Sequence, residues 1–201
     1  MSCGSWGDTP VPRGPGRIRG LLLVVPLGPA ASLPNTERMT QRAELTGLLD
    51  RLAIDDLITG YARTVDDGDW AAYRALFTSD GRADYRSAGG IEGPAAEVAG
   101  WLEETMRLFP VRQHLILNRH VTIERVDGHA GDSAVLRAEY VNPMRLDAPG
   151  PEADQPTAPN FTSGGRYTFR LRRTDAGWRM HEVVVREKWR RTSEDRAAQG
   201  G

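Results

Sequence analysis

Tyr61-Ala-Arg-Thr-Val-Asp-Asp-Gly-Asp-Trp70 is the stretch whose reading decides the fold. Upstream of it, Leu45, Leu48, Leu52, Ile54, Leu57, Ile58, Tyr61 and Val65 recur mostly at three- and four-residue steps. That is the spacing of a buried helical face. Gly68 ends the helix, and Asp69 reads as the N-cap of a shorter one over residues 70–77. Asp66 then falls in the last turn of the first helix, where the helix dipole is negative and a carboxylate gains nothing locally. Two readings stay open. Asp66, Asp67 and Asp69 form a solvated acidic turn, or Asp66 is kept for a partner elsewhere in the fold.

The chain of 201 residues is long enough for one domain with a proper core. A formal net charge of −1 with mixed signs leaves no electrostatic footprint for nucleic acid. No apolar run approaches the roughly 18–20 residues of a membrane helix. Cys3 is the sole cysteine, which excludes an internal disulfide and a cysteine-based metal site and fits a reducing, cytoplasmic compartment.

Residues 1–38 differ from the rest. They are rich in glycine, proline and arginine, with one short apolar patch at residues 21–25 before Pro26. Such composition buries too little surface to offset its ordering entropy. It reads as a disordered extension, or as the product of an upstream start codon with Met39 the natural one. A signal peptide fits less well, because Pro26, Gly28 and Pro29 interrupt the apolar patch. The domain is expected over 39–190, followed by a polar tail at 191–201.

After the two helices, residues 81–86 alternate as a short strand, and Gly93-Pro94 opens a third helix with proline at its first position. Val98, Trp101, Leu102, Thr105, Met106 and Phe109 give that helix its buried stripe. The period then changes to two. Residues 113–124 form a strand with His114, Ile116, Asn118 and His120 on one face and Leu115, Leu117 and Val121 nearer the other. A turn is expected at Asp127-Gly128 and Gly131-Asp132, then strands over 133–145, 161–173 and 178–189, with a proline-rich loop at 148–160. On the strand over 161–173, Phe161, Ser163, Gly165, Tyr167, Phe169 and Leu171 face the helices, a wall suited to a pocket or to a solid core. Arg166, Arg170, Arg172 and Arg173 read as a solvated or dimer-facing sheet surface. Helices first and long antiparallel strands after them make an α+β domain with helices packed on one sheet.

In that order the chain carries Val65-Asp66-x-x-Asp69-Trp70, Asp84-Tyr85-Arg86-Ser87, Gln113-His114, Asn142-Pro143-Met144 and Gly165-x-Tyr167 through Gly177-Trp178. With these it resembles the SnoaL-like, scytalone dehydratase-like branch of the nuclear transport factor 2-like superfamily, over roughly residues 42 to 190. The resemblance implies a cone-shaped α+β barrel, three N-terminal helices packed in a strongly curved, mainly antiparallel sheet with a deep pocket at its open end. It also implies a buried His–Asp pair, falling on His114 and Asp66, with pocket tyrosines falling on Tyr85 and Tyr61. The chain departs from scytalone dehydratase twice. Val65 stands where the dehydratase has a tyrosine before its aspartate, and Met144 where it has a second histidine.

The chemistry this implies is cofactor-independent. A neutral imidazole can take a proton from carbon next to a carbonyl, and a carboxylate bonded to its other nitrogen fixes the tautomer. His114 is the expected base, Asp66 its orienter, and Tyr61, Tyr85 and Asn142 the donors to an enolate oxygen. Val65, Trp70, Asn118, Asn142, Met144, Phe161 and Tyr167 are the expected substrate contacts. Loss of a β-leaving group would make the protein a dehydratase-like lyase, reprotonation elsewhere an isomerase, and carbon–carbon bond formation a cyclase. The expected partner is a largely apolar small molecule of polyketide, steroid or aromatic type, with a homodimer by analogy of fold. Two rivals are a non-catalytic binding module of the same fold and a structural small subunit of a ring-hydroxylating dioxygenase. No histidine spacing suggests a metal, and the glycine pairs at 89–90 and 164–165 do not form a phosphate loop.

Overall fold

The computed structural model describes residues 35–127, 129–146 and 157–192. The expectations for residues 1–34, for most of the proline-rich loop and for the tail beyond 192 lie outside those residues.

Helix α1 runs Asn35–Asp67 and so begins upstream of Met39. It buries Ile54, Leu57, Ile58, Tyr61 and Val65, but Leu45, Leu48 and Leu52 are each more than half exposed. Periodicity therefore marked the helix correctly and overstated the length of its buried face. Gly68, at φ 71°, terminates it: the Gly68 N–H donates to the Val65 carbonyl at 3.3 Å and the Asp69 N–H to the Thr64 carbonyl at 2.8 Å. That paired arrangement closes a helix through a left-handed residue, which glycine adopts without a side-chain clash. Asp69 caps α2 (Trp70–Ala75), its Oδ1 accepting from the Ala72 N–H at 2.9 Å. The helix is shorter than expected because Phe77 already belongs to strand β1 (Phe77–Asp84).

A 3-10 turn (Arg86–Ala88) and strand β2 (Glu92–Pro94) lead into α3 (Ala95–Met106). Pro94 is the N-cap of α3 rather than its first residue, because it closes the β2 pairing with Arg82. Val98, Leu102 and Met106 form the buried stripe of α3. Strands β3 (Val111–Arg112), β4 (Leu115–Val126), β5 (His129–Arg145), β6 (Phe161–Thr174) and β7 (Gly177–Thr192) follow. Gly131 and Asp132 lie inside β5, so that half of the expected turn is strand, while Asp127 is in a turn as expected.

The sheet order is β2-β1-β7-β6-β5-β3, with β4 also on β5. Among the described residues, β1 and β7 are the only strands that pair in parallel. This is the curled, mainly antiparallel sheet of an α+β cone wrapped around the helices. Its inner wall carries Leu136, Ala138, Tyr140, Tyr167, Phe169, Leu171, Met180, Val183 and Val185, all buried. The face expected of β6 is the observed one, with Ser163, Gly165, Tyr167, Phe169 and Leu171 buried and Arg166, Arg170 and Arg172 exposed. Arg173 departs from its solvated assignment. It donates to Asp50 at 2.6 and 2.8 Å and stacks 4.5 Å over the Trp178 ring. The Trp178 indole also donates to buried Asp50, at 3.1 Å. This cluster ties the middle of α1 to the β6–β7 hairpin.

Candidate active site

Asp66 is set by the end of α1, and His114 by a break in the sheet edge. Val111 pairs with Arg145, Arg112 with Met144, and Leu115 with Val141, so β3 and β4 keep one register against β5. Between Arg112 and Leu115 the pairing lapses at Gln113 and His114, across from Pro143 and Asn142. Proline has no N–H to give a ladder, and strands interrupt or bulge where it occurs. The N–H of His114 turns instead to Asp66 Oδ2, at 3.0 Å. The imidazole Nδ1 meets Asp66 Oδ1 at 2.6 Å. One carboxylate thus holds both the backbone and the ring of His114, whose side chain is 8% exposed against 23% for Asp66. Arg112 braces the junction, donating to the Asp66 carbonyl and to the Met106 carbonyl, each at 3.2 Å. A cation at the ends of α1 and α3 offsets the unfavourable dipole around Asp66.

His114 lines a cavity of about 250 Å³ that also presents Tyr85, Asn142, Met144, Phe161 and Tyr167. Tyr61 does not line it. It stands behind, with its hydroxyl bonded to that of Tyr85, while the Tyr73 hydroxyl lies 3.3 Å from Tyr85 on another side. Burial pushes the Tyr61 and Tyr85 hydroxyls well above the ordinary phenol value, so both stay protonated. Asn142 is buried; its Nδ2 is 3.5 Å from the Tyr167 hydroxyl, and its Oδ1 has no hydrogen-bond partner among the described residues. Such a group at a cavity wall leaves a hydrogen bond to be completed.

Three expected contacts are elsewhere. Val65 is in the core, and Trp70 packs its ring 6.0 Å from that of Tyr73. Asn118 is exposed at φ 50°, inside a register shift of β4 between Leu117 and His120. One extra residue in a strand reverses the inward and outward phase, so alternation counted from His114 fails at Asn118. His120 is exposed, and His181 lies 3.5 Å from both Thr78 Oγ1 and Asp80 Oδ1, off the cavity.

No motif marks Tyr73 or the cavity residues Tyr140, Glu187 and Arg190, and periodicity places Trp101 and Ser163 only on inward faces without a role at the site. Among the described residues no three His, Cys, Asp or Glu side chains converge as a metal site requires, and no helix is long and apolar enough to cross a membrane.

A sequence profile of the SnoaL-like domain matches residues 46–184. The uncharacterized protein Rv2910c of Mycobacterium tuberculosis is 37% identical over 95 residues, which are 47% of this chain and 60% of that relative. The chain thus matches less than two thirds of that relative's length. A candidate scytalone dehydratase from Novosphingobium aromaticivorans superposes with a TM-score of 0.59 at 19% identity, covering 73% of this chain and 89% of its own. The hexachlorocyclohexane dehydrochlorinase LinA-type3 of Novosphingobium barchaimii superposes at 0.57 and 17% identity, over 74% and 93%. At those identities the two structures speak for a shared fold.

Proposed function

The chain belongs to the SnoaL-like family, and from that premise we propose that it is a cofactor-independent lyase or isomerase acting next to a carbonyl. The observation that carries this reading is the 2.6 Å contact between Asp66 and the imidazole of a cavity-lining His114. With Nδ1–H donated to the carboxylate, the lone pair lies on Nε2, the nitrogen of a general base. Nε2 takes the proton from the α-carbon, and the electron pair of that bond moves toward the carbonyl oxygen. Tyr85 is the donor to the resulting enolate. If Tyr61 and Tyr73 both donate to its oxygen, its own proton is left for a third partner. Asn142 offers a second polar contact. A β-leaving group then departs with its electron pair and takes the proton from the imidazolium, which completes an elimination and restores neutral His114. Return of that proton to another carbon instead completes an isomerisation. Neighbours named as a dehydratase and a dehydrochlorinase are named for eliminations, which favours the first outcome.

The test follows α-proton exchange of 2-acetonaphthone in deuterium oxide by NMR. The protein is expected to exchange the methyl protons well above the buffer rate, and His114→Ala to fall to that rate. Binding without exchange would favour the non-catalytic binding module, and stable co-purification with an iron-bearing chain the dioxygenase subunit.

A further inference from the structure

The cavity carries a second polar cluster that proton abstraction does not use. Strands β6 and β7 shift register between Gly164 and Gly165: Gly164 pairs with Trp189 and Gly165 with Glu187, leaving Lys188 as an extra residue. Side chains three residues apart on a regular strand face opposite ways. Here the extra residue brings both Glu187 and Arg190 to the cavity wall, while Lys188 Nζ donates to Glu139 Oε2 at 2.6 Å. Gly165 permits the shift. A Cβ at that position would lie 2.2 Å from the Arg186 carbonyl oxygen and 2.9 Å from the Tyr140 ring.

Ser163 donates to Glu187 Oε2 at 2.7 Å. Arg190 donates through Nε to Oε1 at 2.9 Å and through Nη2 to Oε2 at 3.1 Å. The Glu187 side chain is 12% exposed. An ionised carboxylate has about four acceptor positions, and among the described residues these three bonds leave one unfilled. Asn142 pairs with Ser163 and Ser163 with Arg190, and the β3–β4 register puts His114 across from Asn142. These residues therefore form one row across the sheet. Its ends are three strand spacings apart, roughly 14 Å along the curved surface, with Met144 and Phe161 on the adjoining wall.

We infer that Glu187, held by Ser163 and Arg190, is a specificity-determining residue. It accepts a hydrogen bond from a hydroxyl of the substrate, at the end remote from the reacting carbon. The substrate is then a carbonyl compound with an apolar middle and a distal hydroxyl, more polar than the largely apolar molecule that the resemblance implies. This rests on the cavity being the substrate pocket of the reading above.

The test measures binding of 6-hydroxy-, 6-methoxy- and 6-carboxy-2-acetonaphthone to the full-length protein by fluorescence titration. The hydroxy compound is expected to bind about tenfold or more tightly than the methoxy compound, the range of a hydrogen bond to a charged group. Glu187→Gln should cut that preference to about threefold or less and leave methoxy affinity unchanged. Ser163→Ala, which keeps the carboxylate but removes one of the bonds that hold it, should lower the preference less than Glu187→Gln does. If Glu187→Gln does not fold, Glu187→Asp, which draws the carboxylate back, should lower the preference in the same direction. His114→Ala should lose proton exchange and keep the preference, so failure of the catalytic reading and failure of this one are separable. No preference in the wild type, an undiminished preference in Glu187→Gln, or tightest binding of the carboxy compound would overturn the inference.

Discussion

Asp66 and His114 meet twice across the seam between the end of α1 and the break opposite Pro143, once through the backbone N–H and once through the ring. Either bond alone would leave the imidazole a degree of freedom. Together they fix its position and its tautomer, the role expected of an orienting carboxylate.

Asp66→Asn keeps the shape and removes the charge. An asparagine can present its N–H₂ to Nδ1 and so stabilise the tautomer with the proton on Nε2, the wrong one for a base. Exchange of 2-acetonaphthone should fall about 10³- to 10⁴-fold with little change in melting temperature. A drop below about tenfold would remove Asp66 from the orienting role.

Tyr85→Phe removes the proposed oxyanion donor. The turnover rate should fall about 10²- to 10³-fold while ligand affinity changes little. Tyr73→Phe touches only the far side of Tyr85 and should cost less. Equal losses in both variants would point to packing instead of donation.

Burial raises the hydroxyls of Tyr61 and Tyr85 well above the reference value of 10.0, and those of Tyr73 and Tyr167 are raised as well. In the unfolded chain the same groups ionise near their ordinary value. Their contribution to stability is therefore intact below about pH 10 and is lost as the pH rises toward the folded values. Urea titrations should show a midpoint that falls above about pH 10, and a flat midpoint would contradict the shifts.

Asp50 is held below its reference value of 3.8, chiefly by the hydrogen bonds from Arg173. A lowered folded value gives stability that is present above the unfolded value and lost as the pH falls through the folded one. Asp50→Asn leaves Arg173 and the Trp178 indole with a neutral partner and should destabilise the fold by about 3 kcal/mol at neutral pH. The deficit should vanish in acid; a deficit independent of pH would assign the loss to packing.

Gly165→Ala places a methyl group against the Arg186 backbone. It should cost about 1–3 kcal/mol in urea melts and blunt the hydroxyl preference through displacement of Glu187. Wild-type behaviour in both would mean that the bulge does not position the carboxylate.

Half of the site could be read along the chain, because half of it is local. Asp66 was conspicuous as an acid at the wrong end of a helix, and Gly68 and Asp69 announced how that helix stops. The inward face of β6 followed from alternation, since that face keeps its phase from Ser163 to Leu171. His114 was found by resemblance and not by pattern, because the break at which its N–H leaves the ladder is defined by the register of a neighbouring strand, across from Asn142 and Pro143. Glu187 and Arg190 stayed hidden for a related reason: the bulge at Lys188 overrides the alternation that would have separated them. The same effect misplaced Asn118. Leu45, Leu48 and Leu52 show the remaining limit. Their spacing states that they share a face but not what lies against it. Asp50, seen alone in a helix, gave no hint of Arg173 and Trp178.

The most direct test of the central claim is chemical rescue of His114→Ala. The variant should be inactive in α-proton exchange and should recover activity as imidazole is added, in proportion to its concentration, since the cavity vacated by the ring borders Asp66. Exchange by His114→Ala at the wild-type rate without imidazole would show that the proton is removed by another group.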